Sequence, residues 1–312
     1  MHYKLIKIKF LFYCIALLSA QASGQGFTTV KTQEGVEILE NGKKVLFYQQ
    51  QPKSLNGKYE RAGYVHPLYS LNEKVLTEDF PEDHPYHRGI FWAWHQIVLN
   101  DKKIADAWIC ENISWKSIGL KVKKRKENVM LQSEMLWNAK SDHDNPTDII
   151  KENTRITVHK STGQYRAIDF DIRLFALMDS LKIGGSDDAK GYGGFCLRLK
   201  LPKDISFFSN NTVIIPIETA ITAGPWMDFT GFFDGVSMPK TGMAVFCSQP
   251  VIYQQLWILR KETSMQNIPY PGRTPITLSS TGLRLKYRII IHTGDMSNDD
   301  IEKLYQQYIH KS

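Results

Sequence analysis

Apolar and polar residues alternate along much of this chain. The clearest run is residues 168–174, where Ile168, Phe170, Ile172 and Leu174 are interleaved with Asp169, Asp171 and Arg173. A period of two places the apolar set on one face of a strand and the charged set on the other, as in a half-buried antiparallel strand. Similar runs predict strands over residues 36–39, 44–47, 63–67, 89–98, 108–115, 129–137, 149–159, 165–178 and 193–200. More follow over 213–217, 243–246, 251–259 and 283–292. Turn formers separate them, among them Asn41-Gly42, Asn56-Gly57, Asn210-Asn211 and Thr281-Gly282,. One helix stands out. Ser297 followed by Asp300 has capping-box spacing, and Ile301, Leu304, Tyr305, Tyr308 and Ile309 recur on one helical face,. So many strands, one helix and no repeat predict an all-β fold: a large antiparallel β-sandwich as a single domain over residues 25–312, with one C-terminal helix.

Residues 1–24 follow another pattern. Lys4, Lys7 and Lys9 precede an apolar run from Phe10 to Leu18, and small residues follow up to Gly24. That order predicts a secretory signal cleaved near Ala22 or Gly24, and a periplasmic or secreted protein of about 288 residues. The apolar run falls short of the roughly 20 residues that span a bilayer, and no later segment is longer, so no membrane partner is expected after cleavage. Without the three lysines the formal charge drops from +7 to +4. The surplus is small and scattered. KVKKRK at residues 121–126 reads as a solvated strand end or turn, and no nucleic-acid partner is expected. Cys110, Cys196 and Cys247 are odd in number and far apart, which argues against a disulfide framework,.

Candidate chemistry concentrates between Arg61 and His95. His66, His84, His87 and His95 are four of the nine histidines, and Arg61, Arg88, Trp92 and Trp94 share the window. Imidazole moves protons near neutral pH, guanidinium grips oxyanions, and indole stacks on sugar rings. Strand alternation sets Arg88 and Trp92 on one face and His87 and His95 on the other. A straight strand at about 3.3 Å per residue would hold His87 and His95 roughly 26 Å apart. Pro85 bars a helical pairing of His84 with His87, so a loop must present them. These residues predict acid/base chemistry. His87 or His84 would move a proton, Asp83 would orient an imidazole, and Arg88 or Arg61 would hold an oxygen. His66, Trp92 and His95 would line the substrate. No cofactor is expected; a divalent metal on Asp83, His84 and His87 is the alternative, without a tight metal motif behind it. The competing structural reading is that the same groups tie a loop onto the sheet.

Two further stretches matter. In residues 218–235, Trp226 beside Asp228 suits a saccharide platform next to a hydroxyl acceptor, or a core tryptophan beside a solvated acid. In GYGGFCLRL, residues 191–199, the glycines lack the strand–turn–helix context of a nucleotide loop and predict close backbone packing, with Arg198 in reach of a ligand. A single pocket shared by Trp226 and His87 is the simplest expectation.

HPLYS, DHPYHRGIFWAW, GYGGFCLRL and AGPWMDFTG resemble the PmoA-like family of secreted bacterial proteins over most of the chain. That family is of unknown function, and its members often look like parts of saccharide-utilisation systems. Its inherited methane-oxygenase label denotes an integral membrane subunit, which does not suit a chain lacking a spanning segment. HPYHRGIFWAW is also similar to the histidine-glycine stretch of galactose mutarotase-like proteins, β-supersandwiches that act on sugars. The likeness implies a supersandwich, with His87 as the histidine that protonates a ring oxygen. Arg88 stands where that pattern has a glycine. The partner glutamate has no motif match, which leaves Glu134, Glu152 and Glu218 as candidates. The resulting expectation is a carbohydrate-active protein acting on a glycoside or modified sugar as a hydrolase, lyase or epimerase. Its alternative is non-catalytic saccharide binding on Trp92, Trp94 and Trp226.

Overall fold

The computed structural model describes residues 25–140, 146–233, 239–248, 255–262 and 265–310. The signal segment of residues 1–24 lies outside them. A seven-stranded and a nine-stranded sheet dominate, with a four-stranded sheet beside them. The alternation works as the period of two requires. In strand Tyr165–Ala176 of the larger sheet, Ile168, Phe170, Ile172 and Leu174 are buried while Asp169, Asp171 and Arg173 point the other way. Phe195, on strand Gly193–Leu197 of the seven-stranded sheet, stacks on Tyr287 at 4.2 Å and meets Phe170 edge-on at 5.2 Å. Side chains of the two sheets thus interdigitate in one core, and the fold is an all-β sandwich with one C-terminal helix.

That helix, Asn298–Ile309, is capped as its sequence requires. Ser297 accepts from the Asp300 amide, and its hydroxyl donates to the Asp300 carboxylate at 2.7 Å. Its buried Ile301, Tyr305 and Tyr308 pack on Ala167, Trp226, Ala244, Phe246 and Ile290. These residues lie on the outer face of the nine-stranded sheet, so the helix covers one half of that face. Among the described residues no helix is long and apolar enough to cross a membrane.

Several expected strands are shorter or broken. The run over 89–98 splits at His95 into Ile90–Trp94 in the seven-stranded sheet and Gln96–Leu99 in the four-stranded one. The strand expected from residue 108 begins at Ile113, and only Thr212–Val213 pairs within 213–217, where Pro216 cannot donate to a ladder,. KVKKRK runs off the end of strand Ile113–Lys124 into a turn closed by the Arg125 amide on the Asn128 carbonyl. Cys110, Cys196 and Cys247 are all free thiols. The glycines of residues 191–199 do mark close backbone approach: a Cβ on Gly185 would sit 2.2 Å from the Gly191 carbonyl oxygen. Gly89 is equally constrained, since its Cβ would lie 2.1 Å from the Val65 carbonyl oxygen. This contact fixes the point at which the histidine loop enters the sheet.

Candidate functional site

Two buried arginines brace the site, Arg88 under the loop before Gly89 and Arg61 under the segment that carries Trp108. Arg88 is fully buried. It donates to the carbonyls of Pro85 at 2.8 Å, His87 at 3.2 Å and Tyr59, faces Asp79 at 3.5 Å, and lies 3.4 Å over the Phe80 ring. Arg61 donates to the carbonyls of Ala107 and Trp108, between the rings of Phe91 and Trp115 at 4.7 and 4.6 Å. Neither guanidinium is open to a substrate oxygen, because backbone carbonyls and ring faces occupy both. His66 is tied to Thr77 at 3.0 Å, and burial lowers its imidazole to about 4.

On this support sit two parallel imidazoles. The rings of His84 and His87 stack at 4.8 Å, 7° from parallel. Their surroundings differ sharply. The His87 residue is 3% exposed, whereas the His84 side chain is 38% exposed. Burial, reinforced by the positive neighbours His84, Arg198 and Arg61, depresses His87 to about 2, so it is neutral throughout the physiological range,. His84 Nδ1 lies 2.8 Å from the Asp83 carboxylate. Asp83 in turn receives Arg198 at 2.6 and 3.1 Å. Burial would raise the Asp83 carboxyl, but the hydrogen bonds from His84 and Arg198 outweigh it and hold it below its ordinary value. Arg198 also binds Glu78 at 2.8 Å and approaches His87 Nδ1 at 3.5 Å. It orients Asp83, and its fork is engaged inside the protein instead of reaching a ligand.

The break at His95 changes the expected geometry. The chain turns there, so His87 and His95 flank one indole: Trp108 meets His87 edge-on at 5.9 Å and stacks on His95 at 5.0 Å. Asp106 holds His95 at 3.0 Å and Lys103 at 2.9 Å. Half-buried tyrosines complete the wall. Tyr86 stands edge-on to both His84 and His87, Tyr59 lies 6.1 Å from Tyr86, and Tyr192 lies 5.3 Å from Trp108. On the other flank, Asp83, Glu82, Glu78 and Arg198 line a cleft of about 410 Å³. Glu78 and Leu201 also line a neighbouring cleft of about 560 Å³ that reaches Phe232 and Phe233.

The tryptophan platforms are not in this place. Trp92 is 3% exposed, stacks on Phe195, and donates to the buried Glu152 at 2.8 Å. Trp226 is 1% exposed and packs under the helix, donating to Glu302 at 2.7 Å. Asp228 is buried with His292 at 3.0 Å and Thr230 at 2.9 Å. Alternation buries these side chains within the sandwich or beneath the helix, so the 218–235 segment approaches the Asp83 side through Phe232 and Phe233 instead. Among the described residues no group of three or more His, Cys, Asp or Glu side chains is arranged so that it could hold a metal ion. Tyr59, Trp108 and Tyr192 had no sequence signal, being lone aromatics that only the topology brings together. Tyr86, between His84 and His87 in HPYHRG, could have been singled out.

The depressed histidines carry a pH signature. An unfolded chain takes up protons on His66 and His87 as pH falls below about 6.5, while the folded chain refuses them until about 4 and about 2,. Bound protons then favour the unfolded state, so stability falls as pH drops below 6.5, by up to about 1.4 kcal/mol per pH unit per histidine. Thermal melts between pH 7 and 4.5 should show it; a melting temperature that stays flat across that window rules out neutral burial of the pair.

The chain belongs to the family of unknown function DUF6807, whose model matches residues 35–306. That match brings no activity with it and does not establish the PmoA-like resemblance. No curated protein matches the chain. Among solved structures, one described as a heparinase III gene product is similar at 11% identity and a TM-score of 0.32, over 89% of this chain. This chain covers 36% of that one.

Proposed function

We propose that this member of the family is an exported, carbohydrate-active enzyme that transfers a proton through His84. One observation carries the reading: a half-exposed imidazole, edge-on to Tyr86, is oriented by a carboxylate that lines a cleft and is itself gripped by a buried arginine. The Asp83 bond to Nδ1 fixes the ring and leaves Nε2 as the nitrogen for proton transfer, the logic by which a carboxylate prepares a histidine base. His87 cannot supply a proton at neutral pH. It offers His84 a neutral stacking face and keeps a second positive charge away from it. Tyr59, Tyr86 and Tyr192 supply amphipathic surface of the kind that suits sugar rings and hydroxyls. The PmoA-like resemblance and the signal segment agree with a saccharide met outside the cytoplasm. Non-catalytic binding is the second reading, and the burial of Trp92 and Trp226 removes most of its platforms.

The test is a panel of oligosaccharides and aryl glycosides, neutral and uronic. It is followed by reducing-end release, by ultraviolet absorbance of unsaturated products, and by proton NMR for epimers. Turnover of at least one member at neutral pH is expected. Binding without turnover anywhere in the panel would move the protein to the second reading.

A further inference from the structure

The half of the nine-stranded sheet that the helix leaves uncovered has a chemistry of its own. Two adjoining clefts of about 290 and 330 Å³ lie on it, and Arg155 and Asp171 line both. They share no lining residue with the clefts beside Asp83. Strand register sets the outward side chains in rows across the sheet. One row runs Lys121, Gln132, Arg155, Asp171, Lys286. The next runs Glu134, Asn153, Arg173, Arg284, and a third holds Thr157, Asp169 and Arg288. With strands about 4.8 Å apart, the five-strand row is about 19 Å long.

Six cations in these rows meet three carboxylates, and all three carboxylates are already engaged, Glu134 by Lys151 at 3.2 Å and the other two by arginines. Arg284 grips Asp171 at 2.8 and 2.7 Å, and Arg288 grips Asp169 at 2.5 and 2.8 Å. Arg173 stands directly opposite Arg284 in the register, and both lean on Asp171, Arg284 at 2.7 Å and Arg173 at 3.6 Å, so one carboxylate serves two like charges,. Burial, then the neighbouring Arg284, pushes the Lys286 amine down, in keeping with a surplus of positive charge. Arg155 is exposed between the clefts, with no ion pair among the described residues. One neutral group completes the set. Asn153 Oδ1, in the first cleft, is buried and has no hydrogen-bond partner among the described residues. A buried acceptor without a donor costs stability until a ligand hydroxyl or water reaches it.

We infer that this face binds an acidic saccharide chain, with its carboxylate or sulfate groups on Arg155, Arg173 and Lys286 and a sugar hydroxyl on Asn153. Cations alone would suit any anion. The unpartnered Asn153 acceptor calls for a ligand that also donates, as a sugar does and sulfate does not. Free hydroxyls of the kind Asn153 calls for are plentiful along a glycan and absent along a DNA phosphate backbone, which favours a glycan over that polyanion. The site is separate from His84, and its test reads binding, so its failure leaves the acid/base reading standing.

Calorimetric titration of the full chain would use a galacturonate oligomer, a sulfated galactan oligomer, a neutral galactan oligomer, inorganic sulfate and a single-stranded DNA oligomer. At least one acidic oligomer should bind, more weakly as salt is raised, and the neutral one should not. The double substitution Arg155→Ser, Arg173→Ser lies on exposed or half-exposed positions and should keep the melting temperature while weakening that binding at least 10-fold. Asn153→Leu should weaken the acidic oligomer but not sulfate. The proposal is overturned if neither acidic oligomer binds, if the neutral oligomer binds as well, or if the double variant binds like the wild type. Equal binding of sulfate, a small-anion site, or of DNA, a general polyanion surface, overturns it too.

Discussion

A His84→Gln protein is expected to fold with an unchanged melting temperature and to lose about 100-fold or more in turnover on whichever saccharide the wild type accepts. The magnitude is that of a general acid/base contribution, and 100-fold corresponds to about 2.7 kcal/mol of transition-state stabilisation. The fold should survive because the side chain is 38% exposed and its hydrogen bond is to the neighbouring Asp83. Glutamine can keep a hydrogen bond to that carboxylate but cannot carry a proton near neutral pH. Asp83→Asn should give a smaller loss, since the imidazole would keep a hydrogen-bonding neighbour but lose the carboxylate that orients it. His87→Gln separates the two rings. A larger effect there than at His84 would return the proton-transfer role to the buried histidine, and full activity in both variants would remove acid/base catalysis from this loop.

Arg61→Met should melt about 6–12 °C below the wild type. The substitution leaves the carbonyls of Ala107 and Trp108 without their buried donor and removes a cation from between Phe91 and Trp115. Lost carbonyl partners and lost cation–π contacts amount to about 3 kcal/mol, and each kcal/mol moves the midpoint of a chain this size by about 2–4 °C. Because Arg61 anchors the backbone of Trp108, the indole between His87 and His95, affinity for any saccharide should fall along with stability. An Arg61→Met protein with wild-type melting would mean that the guanidinium is free to serve a ligand after all.

The sandwich and its helix were legible because both rest on local rules. Alternation marks which side of a strand is buried, and Ser297 with Asp300 marks a helix start. The histidine loop was legible as a concentration of chemistry, and Pro85 correctly argued for a loop. What the residues could not reveal was the direction of each side chain. Arg61, Arg88 and Arg198 look alike along the chain, yet the first two support a loop and the third orients Asp83. Trp92 and Trp226 looked like platforms and are packed away, because a side chain's face depends on where its strand lies among the others. The His87 to His95 distance failed for a simpler reason. It assumed one continuous strand, and the chain changes sheets at His95, a step that alternation alone cannot reveal.

Glu152 sets how the two sheets align. Its carboxylate accepts Trp92 Nε1 at 2.8 Å from the seven-stranded sheet and Trp137 Nε1 at 2.9 Å from the nine-stranded one. Apolar layers can slide past one another at little cost, because hydrophobic burial has no direction. A single acceptor shared by two indoles acts as a locating pin between the layers. Glu152 and Trp137 both belong to the nine-stranded sheet, so shifting one sheet against the other would strip Trp92 of its buried acceptor, at a cost of about 1–3 kcal/mol,. The core therefore selects one alignment of its halves through a polar contact, even though its cohesion is apolar.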